Sequence, residues 1–134
     1  MTVTLKKLTP NLMVEHVNDT VAFYKDVLGF ALLASVPEKG EFNWAMMKRD
    51  TVEIMFQSRA SLTGEVPQFQ DKAIGGSLTL YIDVEDITGL YAQAQNKVTI
   101  LHDLTTTFYG AREFIIQDCN GYILTFAQAE TEAS

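Results

Sequence analysis

The stretch DTVAFYKDVLGF, residues 19–30, contains most of the first predicted helix, and the strands are predicted on either side of it. Together with the residues just before it, this stretch carries apolar side chains at helical spacing: Val17, Val21, Tyr24 and Leu28. The spacing predicts an amphipathic helix, with Asn18 or Asp19 as its N-cap and Gly29 at its end. Extended segments surround it, at residues 11–15, 30–36, 42–48 and 52–57. The last two predict a hairpin that turns at Arg49-Asp50.

The same order of elements is repeated in the second half of the chain. Leu78, Leu80, Ile82 and Val84 alternate with polar side chains, which predicts a strand. A helix follows over residues 87–94, and further strands are predicted at 98–101, 114–117 and 122–127. We therefore expect an α+β fold of two βαβββ modules, about residues 8–57 and 77–128, with a polar connection over 58–76. Both modules belong to a single predicted domain over 1–134, whose last residues, 130–134, are expected to fray.

The composition excludes several classes of protein. The 134 residues are 47% hydrophobic and 20% charged, which is typical of a globular chain. Seventeen acidic residues against ten basic ones give a net charge of −7, so we expect no nucleic-acid partner, while a cationic ligand would be attracted. No apolar run has the length that spans a bilayer, and the start of the chain has no secretory pattern. We expect a cytoplasmic protein with no membrane partner. Cys119 is the single cysteine, so no disulfide forms within the chain.

Residues 19–30 end in LGF after an FY pair, and residues 109–122 contain REF followed by DCNGY. These two stretches resemble signatures of the vicinal oxygen chelate superfamily, which includes glyoxalase I, bleomycin-resistance proteins, fosfomycin-resistance transferases and extradiol dioxygenases. Residues 19–30 resemble its first-helix signature, which ends in FY…LGF. Residues 109–122, YGAREFIIQDCNGY, resemble its G-x-REF…D-P-x-G-Y hairpin, with Cys119 where proline is usual. The resemblance covers roughly residues 8–128. It implies two βαβββ modules that form a cup-shaped mixed sheet with the helices outside.

The resemblance also implies where a metal would be bound. Metal-dependent members hold a divalent ion with His, Gln or Glu side chains from the first and last strands of each module. The corresponding positions of this chain are Thr9, Glu53, Thr79 (or Ser77 if the register is shifted by two) and Thr125. A neutral hydroxyl is a poor ligand for such ions. The two histidines do not replace these donors, because His16 is expected to be a surface or capping residue and His102 to lie in a solvated connection. The sequence therefore predicts no metal and no cofactor.

Without a metal, the cup is expected to bind a small organic molecule. Strand alternation predicts an inner face that combines apolar, aromatic and hydroxyl side chains with one carboxylate: Trp44, Met46, Met55, Tyr81, Thr9, Thr79, Thr125 and Glu53. Planar or cationic ligands suit such a surface through stacking, cation–π contacts and attraction to Glu53. The apolar members of this set also fit an ordinary core, and Glu53 also fits an exposed strand. Arg112 and Glu113 are expected to be structural, pairing with each other or with neighbours.

Three functions are compatible with these features. The first is a metal-free binding protein, closest in character to the bleomycin-resistance-like members, that sequesters an organic ligand. By analogy with that branch we expect a homodimer. The second is a metal-dependent, glyoxalase-like lyase or isomerase with an atypical site. The third is a module that serves only as a structural or regulatory partner.

Overall fold

The computed structural model describes residues 2–130, and these residues form the two expected βαβββ modules. The first module consists of β1 (Asn11–Val14), α1 (Val17–Asp26), β2 (Ala31–Val36), β3 (Trp44–Arg49) and β4 (Val52–Ser58). The connection holds α2 (Arg59–Glu65) and a 3₁₀ turn (Pro67–Phe69). The second module consists of β5 (Thr79–Asp83), α3 (Ile87–Ala94), β6 (Thr99–Thr106), β7 (Ala111–Gln117) and β8 (Ile123–Ala129). The predicted α+β fold class is confirmed. Most of the tail that was expected to fray, residues 131–134, lies outside the described residues.

Each module contributes one four-stranded mixed sheet. The strand orders are β1-β4-β3-β2 and β5-β8-β7-β6. In each sheet the first strand of the module runs parallel to the last, and the remaining pairs are antiparallel. Within residues 2–130 no strand of one sheet pairs with a strand of the other. The repeat noted in the sequence is therefore a repeat of topology as well.

The helices cover one face of each sheet, and these two faces share one core. The apolar side of α1 is buried as its spacing predicts, with Tyr24 fully enclosed. The same hydrophobic cluster contains Met47 and Phe56 from the first sheet, and Phe114 and Leu124 from the second. The opposite face of each sheet carries half-buried or exposed side chains along β3 and β5. We call these the open faces.

The start of α1 differs from the prediction for Asn18 and Asp19, whereas His16 is at the helix start and exposed, as expected of a surface or capping residue. His16 occupies the N-cap position, and its carbonyl oxygen accepts hydrogen bonds from the backbone N–H and the hydroxyl of Thr20. The side chain of Asn18, predicted as a cap, instead bridges the loop between β2 and β3. Its amide donates to the carbonyl of Gly40 at 2.9 Å and accepts from the N–H of Phe42 at 2.8 Å. At the start of α3 the carboxylate of Asp86 is the N-cap and accepts a hydrogen bond from the N–H of Gly89.

Two further elements differ from what periodicity alone predicts. The connection is not irregular throughout, because α2 forms with Ser58 as its N-cap and Leu62 buried beneath it. Strand β6 extends to Thr106, beyond the predicted 98–101, and contains register shifts on both sides of His102. His102 is therefore an exposed strand residue and does not lie in a connection.

Three hydrogen bonds hold the second module's closing turn against the first module. The Tyr24 hydroxyl donates to Asp118, the Tyr122 hydroxyl to the carbonyl of Met13, and the Asn120 amide to the Thr20 hydroxyl.

The longest helix in the described part of the chain has ten residues, half of what a bilayer crossing needs.

Candidate functional site

The sequence-predicted ligand residues are divided between the two open faces. Strand register places Trp44, Met46, Glu53 and Met55 together on the first sheet, all half-buried. The second sheet carries Thr79, Tyr81 and Thr125, while the half-buried Thr9 precedes β1. Within residues 2–130 no hydrogen bond or ion pair joins the two groups. One chain therefore presents two half-sites on separate sheets.

The four positions to which the resemblance assigns a metal ion carry an unsuitable donor set. The hydroxyls of Thr79 and Thr125 are hydrogen-bonded to each other at 2.7 Å. No group of three or more His, Cys, Asp or Glu side chains capable of holding an ion occurs in the described part of the chain. Neutral hydroxyls that satisfy one another do not supply the charge or the lone pairs that a divalent ion requires. The residues present therefore do not fit a metal centre.

Glu53 is engaged by two lysines. Its Oε2 lies 2.5 Å from Nζ of Lys7 and 3.9 Å from Nζ of Lys48. The hydrogen bond from Lys7 holds the pKa of Glu53 below its ordinary value. The side chain is 15% exposed, so it is neither a fully buried nor an open carboxylate. Its negative charge is already compensated within the chain, which weakens the predicted attraction between Glu53 and a cationic ligand.

A second carboxylate, Glu113, lies on the other open face. The hydroxyl of Tyr81 donates a 2.9 Å hydrogen bond to its Oε2, and the hydroxyl of Tyr109 donates to the same oxygen. We call Tyr81, Tyr109 and Glu113 the Glu113 cluster. Arg112 does not pair with Glu113, because adjacent strand residues point to opposite faces. Instead Arg112 donates to the Thr88 hydroxyl at 2.7 Å.

The Glu113 cluster affects the acidity of both phenols. The hydrogen bond to the carboxylate, reinforced by partial burial, raises the pKa of Tyr81 to about 12. The same hydrogen bond raises the pKa of Tyr109. A phenol that retains its proton this strongly is a hydrogen-bond donor and a poor general base at neutral pH. The arrangement therefore favours binding over proton abstraction.

The thiol of Cys119 is not activated. Partial burial of the sulfur and the neighbouring Asp118 carboxylate raise the pKa of Cys119, an exposed turn residue, to about 11. A nucleophilic cysteine requires the opposite shift, because the thiolate is the reactive form. Cys119 therefore belongs to the turn between β7 and β8 and does not have the properties of a catalytic group.

A cleft that the sequence did not predict lies between the modules. Its volume is about 610 Å³, and its apolar lining includes Leu28, Phe30 and Phe126. Four acidic residues also line the cleft: Asp50, Asp83, Glu85 and Asp86. None of the sequence-predicted ligand residues lines this cleft. Only knowledge of how the modules pack could have revealed it, because its residues come from both halves of the chain.

Comparisons with known proteins agree with this fold. The model of the Glyoxalase/Bleomycin resistance protein/Dioxygenase superfamily matches residues 5–126. The structure is similar to that of TioX from Micromonospora sp. ML1, with a TM-score of 0.75, 20% identity, and coverage of 92% of this chain and 98% of that one. It is also similar to a glyoxalase/bleomycin resistance protein/dioxygenase from Nocardioides, with a TM-score of 0.76, 16% identity, and coverage of 96% and 86%. No curated protein sequence matches the chain. At these identities the structural similarity shows the fold alone.

Proposed function

We propose that this chain, which belongs to the Glyoxalase/Bleomycin resistance protein/Dioxygenase superfamily, is a metal-free cytoplasmic protein that binds and sequesters a small organic molecule. The observation that carries the proposal is the donor set at the four metal-equivalent positions. Thr79 and Thr125 satisfy each other, and Glu53 is neutralised by lysine. Side chains in this state support recognition by shape and polarity better than coordination of an ion.

The open faces favour an aromatic ligand. Trp44, Met46 and Met55 form a half-buried apolar surface on the first sheet, and the register places Met46 directly opposite Met55. Thioether and indole groups contact planar rings well, since methionine is polarizable and tryptophan offers a large flat surface. The hydroxyls of the second sheet add polar contacts that orient a ligand. Such a mixture is typical of small-molecule sites.

We also propose that the working form is a homodimer. Each chain carries its two half-sites on separate sheets, so a closed pocket requires the first open face of one chain to stand against the second open face of its partner. Large apolar side chains remain exposed on the strands or next to them: Leu33, Val36, Leu78 and Leu101. Contact with a second copy would remove this apolar surface from water.

The proposal is tested with planar probes and with the chain's own fluorescence. Trp44 is the single tryptophan and lies on the first open face, so its emission reports directly on occupancy there. Titration with acridone, a neutral planar tricycle, or with proflavine, its cationic counterpart, should quench Trp44 emission saturably. If neither probe gives a saturable signal, this ligand class is wrong.

Elemental analysis of the purified, untagged protein tests the metal-free state. We expect no stoichiometric transition metal. A bound nickel or zinc ion, together with chelator-sensitive turnover of a hemithioacetal, would contradict the proposal and establish the glyoxalase-like lyase in its place. Folded protein that binds neither probe nor metal would favour a purely structural or regulatory module.

A further inference from the structure

We infer that the Glu113 cluster binds the cationic nitrogen of the ligand, so that the guest of this protein is an organic amine or ammonium compound. The inference rests on the proposed ligand-binding function and assigns the recognition of positive charge to Glu113. The sequence had assigned that role to Glu53.

The geometry of the cluster follows from the register of three strands. Glu113 on β7 lies opposite Ala127 on β8, which in turn lies opposite Asp83 on β5. Because Ala127 carries only a methyl group, Tyr81 reaches diagonally across β8 to Glu113. Tyr109, from the turn before β7, approaches the same oxygen. The carboxylate is therefore held by two phenols, one from β5 and one from the turn before β7. A second acidic residue, Asp83, lies on the same face of the sheet.

The charge of Glu113 is not compensated. Its side chain is buried, with the residue only 8% exposed, yet no Lys, Arg or His of residues 2–130 forms an ion pair with it. Both phenols bond Oε2, and Oε1 has no hydrogen-bond partner in the described part of the chain, although it is not sealed from solvent. Both groups that hold this carboxylate are neutral, so no opposite charge from the described residues lies beside it. A cation at Oε1 would supply that charge.

The aromatic surroundings suit the same kind of group. The rings of Tyr81 and Tyr109 flank the carboxylate, and both are more than half exposed. Phe108 packs edge-to-face against Tyr109, with ring centroids 5.0 Å apart, and extends this wall. Aromatic faces attract ammonium groups through their quadrupoles, an effect that adds to the pull of a nearby carboxylate. Both phenols stay protonated at neutral pH and so add no charge of their own.

The test compares two probes of the same planar frame in wild-type and variant protein. Proflavine carries a positive charge at neutral pH, and acridone does not. Glu113→Gln should weaken proflavine binding about tenfold or more, the equivalent of one charge-assisted contact, and leave acridone within about twofold. Glu38→Gln, in the exposed loop between β2 and β3, makes the same change in net charge and should leave both affinities within about twofold.

A second pair of variants keeps the carboxylate in place, in case Glu113→Gln disturbs folding. Tyr81→Leu removes a ring beside Glu113 and should reduce the preference for proflavine over acridone, whereas Tyr81→Phe should retain most of it. If both probes bind but neither Glu113→Gln nor Tyr81→Leu alters that preference, the cationic assignment is wrong while the proposed function stands. If neither probe binds the wild-type protein, the proposed function itself fails.

Discussion

The hydroxyl of Tyr24 in α1 donates a 2.6 Å hydrogen bond to Oδ2 of Asp118, 94 residues further along the chain. Both groups are buried. The other carboxylate oxygen of Asp118 accepts the backbone N–H groups of Asn120 and Tyr122, so the same side chain orders the turn between β7 and β8. Burial raises the pKa of both Asp118 and Tyr24. This one contact links the packing of the first helix to the shape of the last hairpin.

Tyr24→Phe should therefore lower the free energy of unfolding by about 1–3 kcal/mol, because it leaves the buried carboxylate without its side-chain donor. Urea denaturation followed by circular dichroism measures the effect. Tyr91→Phe is the matched control, since the Tyr91 hydroxyl bonds Asp103 at the surface and should contribute less than about 0.5 kcal/mol. Equal losses of unfolding free energy in the two variants would show that the buried hydrogen bond stabilises the protein no more than the exposed one.

The tyrosines should ionise at higher pH in the folded protein than in the unfolded chain. The pKa of each of the five tyrosines is raised, and that of Tyr81 reaches about 12. The stability linked to Tyr81 is thus fully present below its ordinary pKa of 10.0 and is lost as the pH rises through about 12. In a pH titration, the ultraviolet absorbance of tyrosinate should rise at higher pH in the native protein than in protein unfolded in urea. Glu113→Gln should shift part of that rise to lower pH, and an unshifted curve would contradict the geometry of the Glu113 cluster.

Two glycines should respond oppositely to alanine. Gly75 is buried with φ +103°, and an added Cβ would lie 3.2 Å from the carbonyl oxygen of Gly121. Gly75→Ala should therefore cost about 1–3 kcal/mol of stability. Gly64 lies exposed in α2 with nothing within 4 Å of such an atom, so Gly64→Ala should stabilise by about 0.5–1 kcal/mol. Thermal unfolding of both variants measures whether stability falls or rises. A Gly75→Ala variant more stable than the wild-type protein would contradict the predicted backbone strain at Gly75.

If the protein is a homodimer, its molecular mass in solution should correspond to two chains. Met46→Lys, which places a charge in the middle of the first open face, should shift the equilibrium toward single chains, because a lysine cannot be buried there without a partner. Analytical ultracentrifugation over a range of concentrations measures this shift. Gln93→Lys, on the exposed side of α3, should leave the equilibrium unchanged. A wild-type protein that remains a single chain at high concentration would rule out the homodimer.

Local patterns were sufficient to predict the modules. Helical spacing located α1, and the hairpin turn at Asp50 lies between strands that end at Arg49 and begin at Val52. Patterns were not sufficient for α2, whose short polar segment is stabilised by a Ser58 cap and by the burial of Leu62. Such tertiary packing leaves no periodic signal over seven residues.

The candidate site was only partly predictable for a related reason. Alternation shows which face a strand residue occupies, and the register places Trp44, Met46 and Met55 on one face, as alternation predicts. It does not show which residue of another strand lies beside it, so the contact between Tyr81 and Glu113 depended on the register across β8. The neutralisation of Glu53 was also hidden, because Lys7 precedes β1 in a segment without periodicity.

The bridge made by Asn18 has a practical consequence for producing the protein. Asn18-Asp19-Thr20 has the acceptor pattern for N-linked glycosylation. The nitrogen that would receive the sugar already donates to Gly40, and the oxygen beside it accepts from Phe42. A glycan attached in a eukaryotic secretory host would compete with the anchoring of the β2–β3 loop onto α1. Bacterial expression without this modification keeps the loop tethered as described.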